Sequence, residues 1–302
     1  WGAFFIHPRY GLEVEYLSDE WLRKVRHSVD TAVDAGVDPW LYDEHLWPSG
    51  YADGDVPRLG SDYRMKALVV REEPGACDDV FAVHDPGDGL RYVCRTALDA
   101  DEFTTASGNA YTDLMNPDVV GEFVARTHER YADAVGDRFG DDIPGVFTDE
   151  PQIGFPGALP DDVLASVPWT VGLPTLFREE YGYDLVDHLP ALFYDESPGG
   201  RDYRSVRYDF WRLVTDRFVE TYTARLADWC ADHDLRLTGH YLLEDRIASQ
   251  IPSTGAVMPH YEHEHVPGID FLGRFIGGNG TALAAKQASS AARQFDRTAM
   301  SE

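Results

Sequence analysis

Gly145-Val146-Phe147-Thr148-Asp149-Glu150-Pro151 is a brief apolar run that stops on two carboxylates. Strands buried in a parallel sheet read as such runs, because both of their faces are covered. Thr298-Ala299-Met300-Ser301-Glu302 has the same form and also delivers an acid at its end. In a parallel barrel the strand tips ring one mouth, so Glu150 and Glu302 are expected to converge across it. Two carboxylates on facing tips are the minimum equipment for hydrolysing a glycosidic bond.

Outward from that run, extended and helical signals alternate, the rhythm of parallel βα units. Residues 2–7 read as a first strand, followed by a helix over about 18–35 that Ser18 caps and Gly36 stops. A second strand, 38–42, runs onto Asp43 and Glu44. The stretch 64–105 breaks the rhythm with short extended pieces (67–70, 80–83 and 90–95) joined by Gly, Pro and Asp. It is expected to be an inserted antiparallel β segment within one barrel domain spanning 1–302. Pro117 opens a helix to about 135, and residues 146–148 form the third strand. A loop rich in Pro and Gly, 151–174, is expected to wall a cleft. After two shorter helical pieces, a helix over 203–233 carries Val206, Phe210, Leu213, Val214, Phe218 and Tyr222 at helical spacing. Residues 235–241, 268–272 and 298–301 supply three more strands, with a helix at 283–293.

Six strands do not close an eight-stranded barrel. The fold class expected is therefore α/β, a (β/α)8 TIM-type barrel, incomplete here, with one strand before Trp1 and one after Glu302. The opening Trp1-Gly2-Ala3-Phe4-Phe5-Ile6 has no initiator Met and no signal-peptide pattern, so the chain reads as entered mid-domain. With no leader visible, the cytoplasm is the favoured compartment.

The 302 residues carry 53 acidic against 26 basic side chains, a formal net charge of −27. Lys24, Lys66 and Lys286 are the only lysines. Acid spread along the whole length, with lysine nearly absent, is the composition expected of a protein adapted to molar salt, which screens carboxylate repulsion. Nothing here would neutralise phosphates, so nucleic acid is excluded as a partner. No apolar run approaches the roughly 20 residues of a membrane span. Cys77, Cys94 and Cys230 are odd in number and lack a CxxC spacing, which argues against a disulfide framework or a zinc knuckle. Cys77 and Cys94 are expected as buried thiols, with a pairing across a hairpin as the alternative.

More specific wording lies at the strand ends. His7-Pro8-Arg9-Tyr10-Gly11-Leu12 comes first, followed by Trp40-Leu41-Tyr42-Asp43-Glu44 with Trp47-Pro48-Ser49-Gly50. Phe147-Thr148-Asp149-Glu150-Pro151, Pro267-Gly268-Ile269-Asp270-Phe271-Leu272-Gly273-Arg274 and the closing Ser301-Glu302 follow in that order. Together these resemble the catalytic barrel of family 106-like glycoside hydrolases, the α-L-rhamnosidase type, over nearly the whole chain. The resemblance implies a (β/α)8 barrel acting on a glycoside, often within a longer polypeptide with β-sandwich modules. With a first strand supplied upstream, Glu150 ends strand four and Glu302 strand seven. Those are the two strands that carry the catalytic carboxylates in the large clan of barrel glycosidases.

On this reading Glu150 is the general acid, kept protonated by burial against Phe147 and Pro151. Glu302 is the general base of an inverting mechanism or the nucleophile of a retaining one. Asp149 is expected on the opposite side of an extended strand, in a structural or charge-tuning role at the substrate site. Asp43, Glu44 and Trp47 form an expected sugar subsite, carboxylates for vicinal hydroxyls and an indole for the ring's C–H face. His7, Arg9, Tyr10, His240, Glu244, His263, Asp270 and Arg274 complete the expected substrate contacts.

Two rival readings stand beside this one. His260-Tyr261-Glu262-His263-Glu264-His265 places His263 and His265 on one face of an extended segment, where Asp270 or His240 would complete a metal site for a metal-dependent barrel hydrolase. The chain is otherwise a non-catalytic carbohydrate-binding barrel fragment. The carboxylate reading calls for no organic cofactor; a structural calcium is compatible with so many carboxylates but has no site in the sequence. The expected partners are an oligosaccharide or glycoside and further domains of the same polypeptide.

Overall fold

The computed structural model describes residues 2–75, 77–98, 105–154, 161–271 and 281–302. Within them, in chain order, the strands are β1 (Ala3–Ile6), β2 (Asp38–Tyr42), β3 (Lys66–Arg71), β4 (Asp79–His84), β5 (Arg91–Ala97), β6 (Gly145–Asp149), β7 (Val163–Trp169), β8 (Arg236–His240), β9 (Val266–Ile269) and β10 (Met300–Ser301). The helices are α1 (Asp19–Ala35), α2 (Pro117–Arg126), α3 (His128–Val135), α4 (Leu173–Tyr181), α5 (Pro190–Phe193), α6 (Tyr203–Phe218), α7 (Arg225–Asp232), α8 (Ile247–Thr254), α9 (Val257–Tyr261) and α10 (Thr281–Gln294).

Six strands pair in the order β1-β2-β6-β8-β9-β10, every pair parallel. They make a curled half-barrel sheet, and a full eight-stranded barrel is not present in the described residues. Because the strands are parallel, all six C-terminal tips lie at one edge. The remaining four form an antiparallel sheet, β4-β5-β3-β7.

Local chemistry explains the helix α1. Ser18 accepts a hydrogen bond from Trp21 N at 3.2 Å, and Gly36 turns left-handed to close the other end. Such an N-cap contributes about 1 kcal/mol. Trp21, Val25, Val29 and Ala32 recur at helical spacing and bury one face of α1 in the main core, beside Leu41, Val146 and Leu237 of the sheet.

Several expectations change. The segment 151–174, read as a loop, contains β7, which pairs antiparallel with β3 from Lys66↔Trp169 to Arg71↔Val163. Its Pro168 and polar neighbours hide a strand that is held by the sheet beside it. The stretch 155–160 lies outside the described residues. Cys77 and Cys94, expected as thiols, are bonded to each other, their Cα atoms 5.7 Å apart, and tie the segment before β4 to β5; Cys230 is a buried thiol. The helix expected over 117–135 is divided at Thr127.

The helix expected over 203–233 widens into a π turn at Val219–Ala224 between α6 and α7. That turn lets three successive residues face inward, which an α-helix does not allow. Thr221 donates to Leu114 O, Tyr222 meets Thr148 on β6 at 2.7 Å, and Thr223 meets His260 at 2.7 Å.

Glycine is required where the half-barrel is tightest. A Cβ on Gly239 would lie 2.1 Å from Thr148 O, and one on Gly268 would lie 2.2 Å from Gly239 O. These contacts let β6, β8 and β9 close up, and Gly239 immediately precedes His240.

Candidate active site

Every strand of the parallel sheet contributes to one pocket at its C-terminal edge. Arg9 follows β1, Trp47 follows β2, Asp149 ends β6 and Glu150 follows it, His240 ends β8, Asp270 follows β9 and Glu302 follows β10. The cavity is about 250 Å³, at the small end for ligand sites, which commonly span about 300–1,000 Å³. Glu150 and Glu302, expected across one mouth from the sequence, share this pocket.

The register explains the arrangement. β6 and β8 align Asp149 directly with His240. Beyond that pair, Glu150 leaves the extended conformation and takes a φ of 48°, while its N–H donates to His240 O at 3.1 Å. A non-glycine residue there costs on the order of 1–3 kcal/mol and concentrates at functional sites. The turn also corrects the expectation that Asp149 faces away. Donor atoms of Asp149, Glu150 and His240 all lie within 4.8 Å of one another.

His240 is 2% exposed, and its Nε2 lies 2.8 Å from Glu302 Oε2 and 3.2 Å from Asp149 Oδ1. Asp149 in turn accepts a hydrogen bond from the Tyr42 hydroxyl. A chain Tyr42–Asp149–His240–Glu302 therefore crosses the sheet beneath the pocket. Burial opposes the charge on His240, but the Glu302 hydrogen bond and the Asp149, Glu244 and Glu150 carboxylates outweigh it and raise the imidazole to about 9.

The two outer carboxylates move apart. Burial pushes Glu150 up to about 7, with Asp149, Asp270 and Glu244 adding to the rise and His240 opposing it. The His240 hydrogen bond holds Glu302 below the ordinary glutamate range, with the Arg9 charge also favouring its ionised form. The two carboxyls are shifted in opposite directions, the kind of asymmetry that acid–base pairs require. Burial also raises Asp149 and Asp270.

The other expected residues divide between rim and foundation. Arg9 lies over the Trp47 ring, 5.2 Å from its centroid, and Tyr10, 68% exposed, meets the same indole edge-on at 5.8 Å. His7 stacks on Tyr42 at 3.5 Å; burial, with the Arg9 charge, lowers it to about 3, so it is neutral. Arg274 lies outside the described residues.

Asp43 and Glu44, expected as sugar ligands, are fully buried beneath the pocket. Glu44 accepts hydrogen bonds from the backbone N–H groups of His45, Gly50, Tyr51, Ala52 and Asp53, at 2.7–3.3 Å. That carboxylate shapes the loop bearing Trp47. Asp43 accepts from the Ser49 hydroxyl at 2.5 Å, and Ser49 Oγ accepts from Asp149 N at 2.8 Å. Glu244, also expected at the sugar, is buried and accepts from Tyr241 N, the Tyr261 hydroxyl and Asp270 N at 2.7–3.2 Å. It fixes the segment after β8 to the tip of β9.

The histidine tract does not assemble a metal centre. His260 is buried between Thr223 and Thr254 O, His265 Nδ1 accepts from Leu237 N at 2.9 Å, and His263 is absent from the pocket lining. Among the described residues, neither His263 nor His265 belongs to a cluster of three ligands. The trio Asp149, Glu150 and His240 is the one cluster among the described residues with the spacing a cation needs. Its imidazole Nε2 is already engaged with two carboxylates.

A half-barrel α/β sheet whose strand tips bring carboxylates and a histidine into one pocket is the class that fold and site define here. Among solved structures, the chain is similar to a rhamnosidase from Novosphingobium sp. PP1Y, with a TM-score of 0.50 and 19% identity over 70% of this chain. That likeness concerns the fold, and the match covers 19% of the rhamnosidase's length. No family model matches the sequence, and no curated protein matches it.

Proposed function

We propose that this chain is the greater part of the catalytic barrel of an O-glycoside hydrolase of the α-L-rhamnosidase, family 106-like, type. The observation that carries the reading is the pair Glu150 and Glu302, on tips of one parallel sheet, in one pocket, with carboxyl groups shifted in opposite directions. The strand-end wording and the fold likeness to a rhamnosidase support it. The outer edges of β1 and β10 have no strand partners among the described residues, which favours completion of the barrel by strands elsewhere in the same polypeptide. No described helix is long and apolar enough to cross a membrane.

In the proposed reaction Glu150 donates its proton to the glycosidic oxygen as the bond to the anomeric carbon breaks. Glu302, already ionised, removes a proton from the attacking water or attacks the anomeric carbon itself. Trp47 offers the sugar a flat apolar face, and Arg9 and Asp270 offer a hydrogen-bond donor and acceptor at the rim. No organic cofactor or redox centre is required.

The test uses the polypeptide in which the barrel is complete, assayed on a panel of aryl and natural glycosides including α-L-rhamnosides. Release of reducing sugar that Glu302→Gln removes, with sugar binding retained, is the expected result. Binding without any release by the unsubstituted protein would make it a carbohydrate-binding barrel instead.

A further inference from the structure

His240 touches both members of the proposed pair by two different routes. Its backbone carbonyl accepts the Glu150 N–H at 3.1 Å, at the residue whose φ turns positive. Its ring Nε2 reaches Glu302 at 2.8 Å and Asp149 at 3.2 Å, and its Nδ1 is buried with no partner among the described residues. The ring's polar contacts are therefore spent wholly on the two carboxylates. The ring is fixed from below by Phe147, 5.6 Å away and edge-on, and Asp149 is held from its far side by Tyr42.

We propose that His240 is the positioning residue of the site, setting the place of Glu302 with its imidazole and the backbone turn of Glu150 with its carbonyl. The inference rests on the carboxylate-pair reading and adds the element that makes the pair unequal. The backbone of Glu302 is held by its N–H, which donates to Ile269 O at 3.0 Å, and its side chain has to be oriented separately. The short hydrogen bond to a buried ring supplies that orientation, and a charge-assisted bond is about twice as strong as a neutral one. Other titratable and charged groups face the same place: Arg9 and the neutral His7 after β1, Asp149 at the end of β6 and Glu150 just after it, Glu244 after β8 and Asp270 after β9. Of these groups, His240 alone hydrogen-bonds the Glu302 side chain.

The ring and the carbonyl separate experimentally, because a side-chain substitution removes only the ring. In the completed polypeptide, His240→Ala should lower kcat by about 10²-fold, the cost of misplacing a reacting group by about 1 Å, with KM little changed. His240→Gln, which offers an amide N–H near the place of Nε2, should recover about tenfold of that loss, the worth of one hydrogen bond to a charged group. The dependence on leaving group should stay as in the unsubstituted enzyme, since Glu150 keeps its backbone anchor. Equal kcat in all three proteins, or equal loss in the alanine and glutamine variants, would overturn the proposal.

Nitrogen-15 NMR of labelled histidines gives a reading independent of whether the alanine variant folds. Glu302→Gln should shift the His240 Nε2 resonance and lower the pH at which the ring loses its proton. An unchanged His240 signal would also overturn it. If Glu150→Gln and Glu302→Gln themselves leave hydrolysis intact, the carboxylate pair fails first, which is a distinct result.

Discussion

Glu150 and Glu302 differ because one lies against a buried wall and the other against an imidazolium. The proposed reaction requires that Glu150 hold its proton and that Glu302 lack one. The signs are opposite: activity is lost as pH rises through the Glu150 value of about 7, and as pH falls through the depressed Glu302 value. A bell-shaped kcat/KM profile is expected, with its alkaline limb near 7 and its acid limb below the ordinary glutamate range of about 4.3. In His240→Gln both limbs should move upward, the acid limb because Glu302 loses its hydrogen bond to the imidazole and the alkaline limb because His240 no longer opposes the rise of Glu150; an unmoved profile would contradict this account. Both catalytic candidates were legible in the sequence because each ends a short apolar run. The orientation of Asp149 was not, since an alternating pattern assumes an extended strand and the left-handed turn at Glu150 lies outside that assumption. Asp43 and Glu44 misled for a related reason. A carboxylate at a strand end serves a sugar or a ring of backbone N–H groups equally well, and Glu44 serves five of them.

At the scale of elements, the parallel strands were readable from apolar runs and the helices from their period and caps. β7 was not readable, because its pairing with β3 is a long-range contact that local composition does not report. The π turn was likewise hidden: Thr221, Tyr222 and Thr223 face inward together only in a widened helix. Two substitutions test what holds these elements in place. Gly239→Ala should destabilise the fold by about 1–3 kcal/mol in denaturant unfolding, since its Cβ would press on the β6 backbone. A neutral effect would mean that β6 and β8 are less tightly apposed. Lys66, on β3, is buried with its Nζ 3.4 Å from Asp113 Oδ2, which also accepts from Thr170 at 2.8 Å. Lys66→Met should cost about 3–5 kcal/mol by leaving that carboxylate buried and unpaired, and adding Asp113→Leu should restore much of it. A double variant as unstable as the single one would show that the loss comes from packing.

For the whole molecule, a net charge of −27 means that self-repulsion governs how the fold responds to salt. Thermal stability is expected to rise steeply from about 0.1 M KCl, where charges interact over about 10 Å, to several molar, where screening is nearly complete. A melting temperature indifferent to salt would assign the acidic composition another cause. The half-barrel is also the scale at which the pocket is assembled: six strands, each contributing to it, with the proposed acid just after β6 and the second carboxylate after β10. The most direct test of that arrangement is the leaving-group dependence of Glu150→Gln in the completed polypeptide, set beside Glu302→Gln. With Glu150 as proton donor, its glutamine variant should lose about 10²–10⁴-fold on glycosides with poor leaving groups and far less on activated aryl glycosides, while Glu302→Gln should impair both. Equal losses for Glu150→Gln on the two substrate types would show that Glu150 is not the acid and would contradict the carboxylate-pair mechanism.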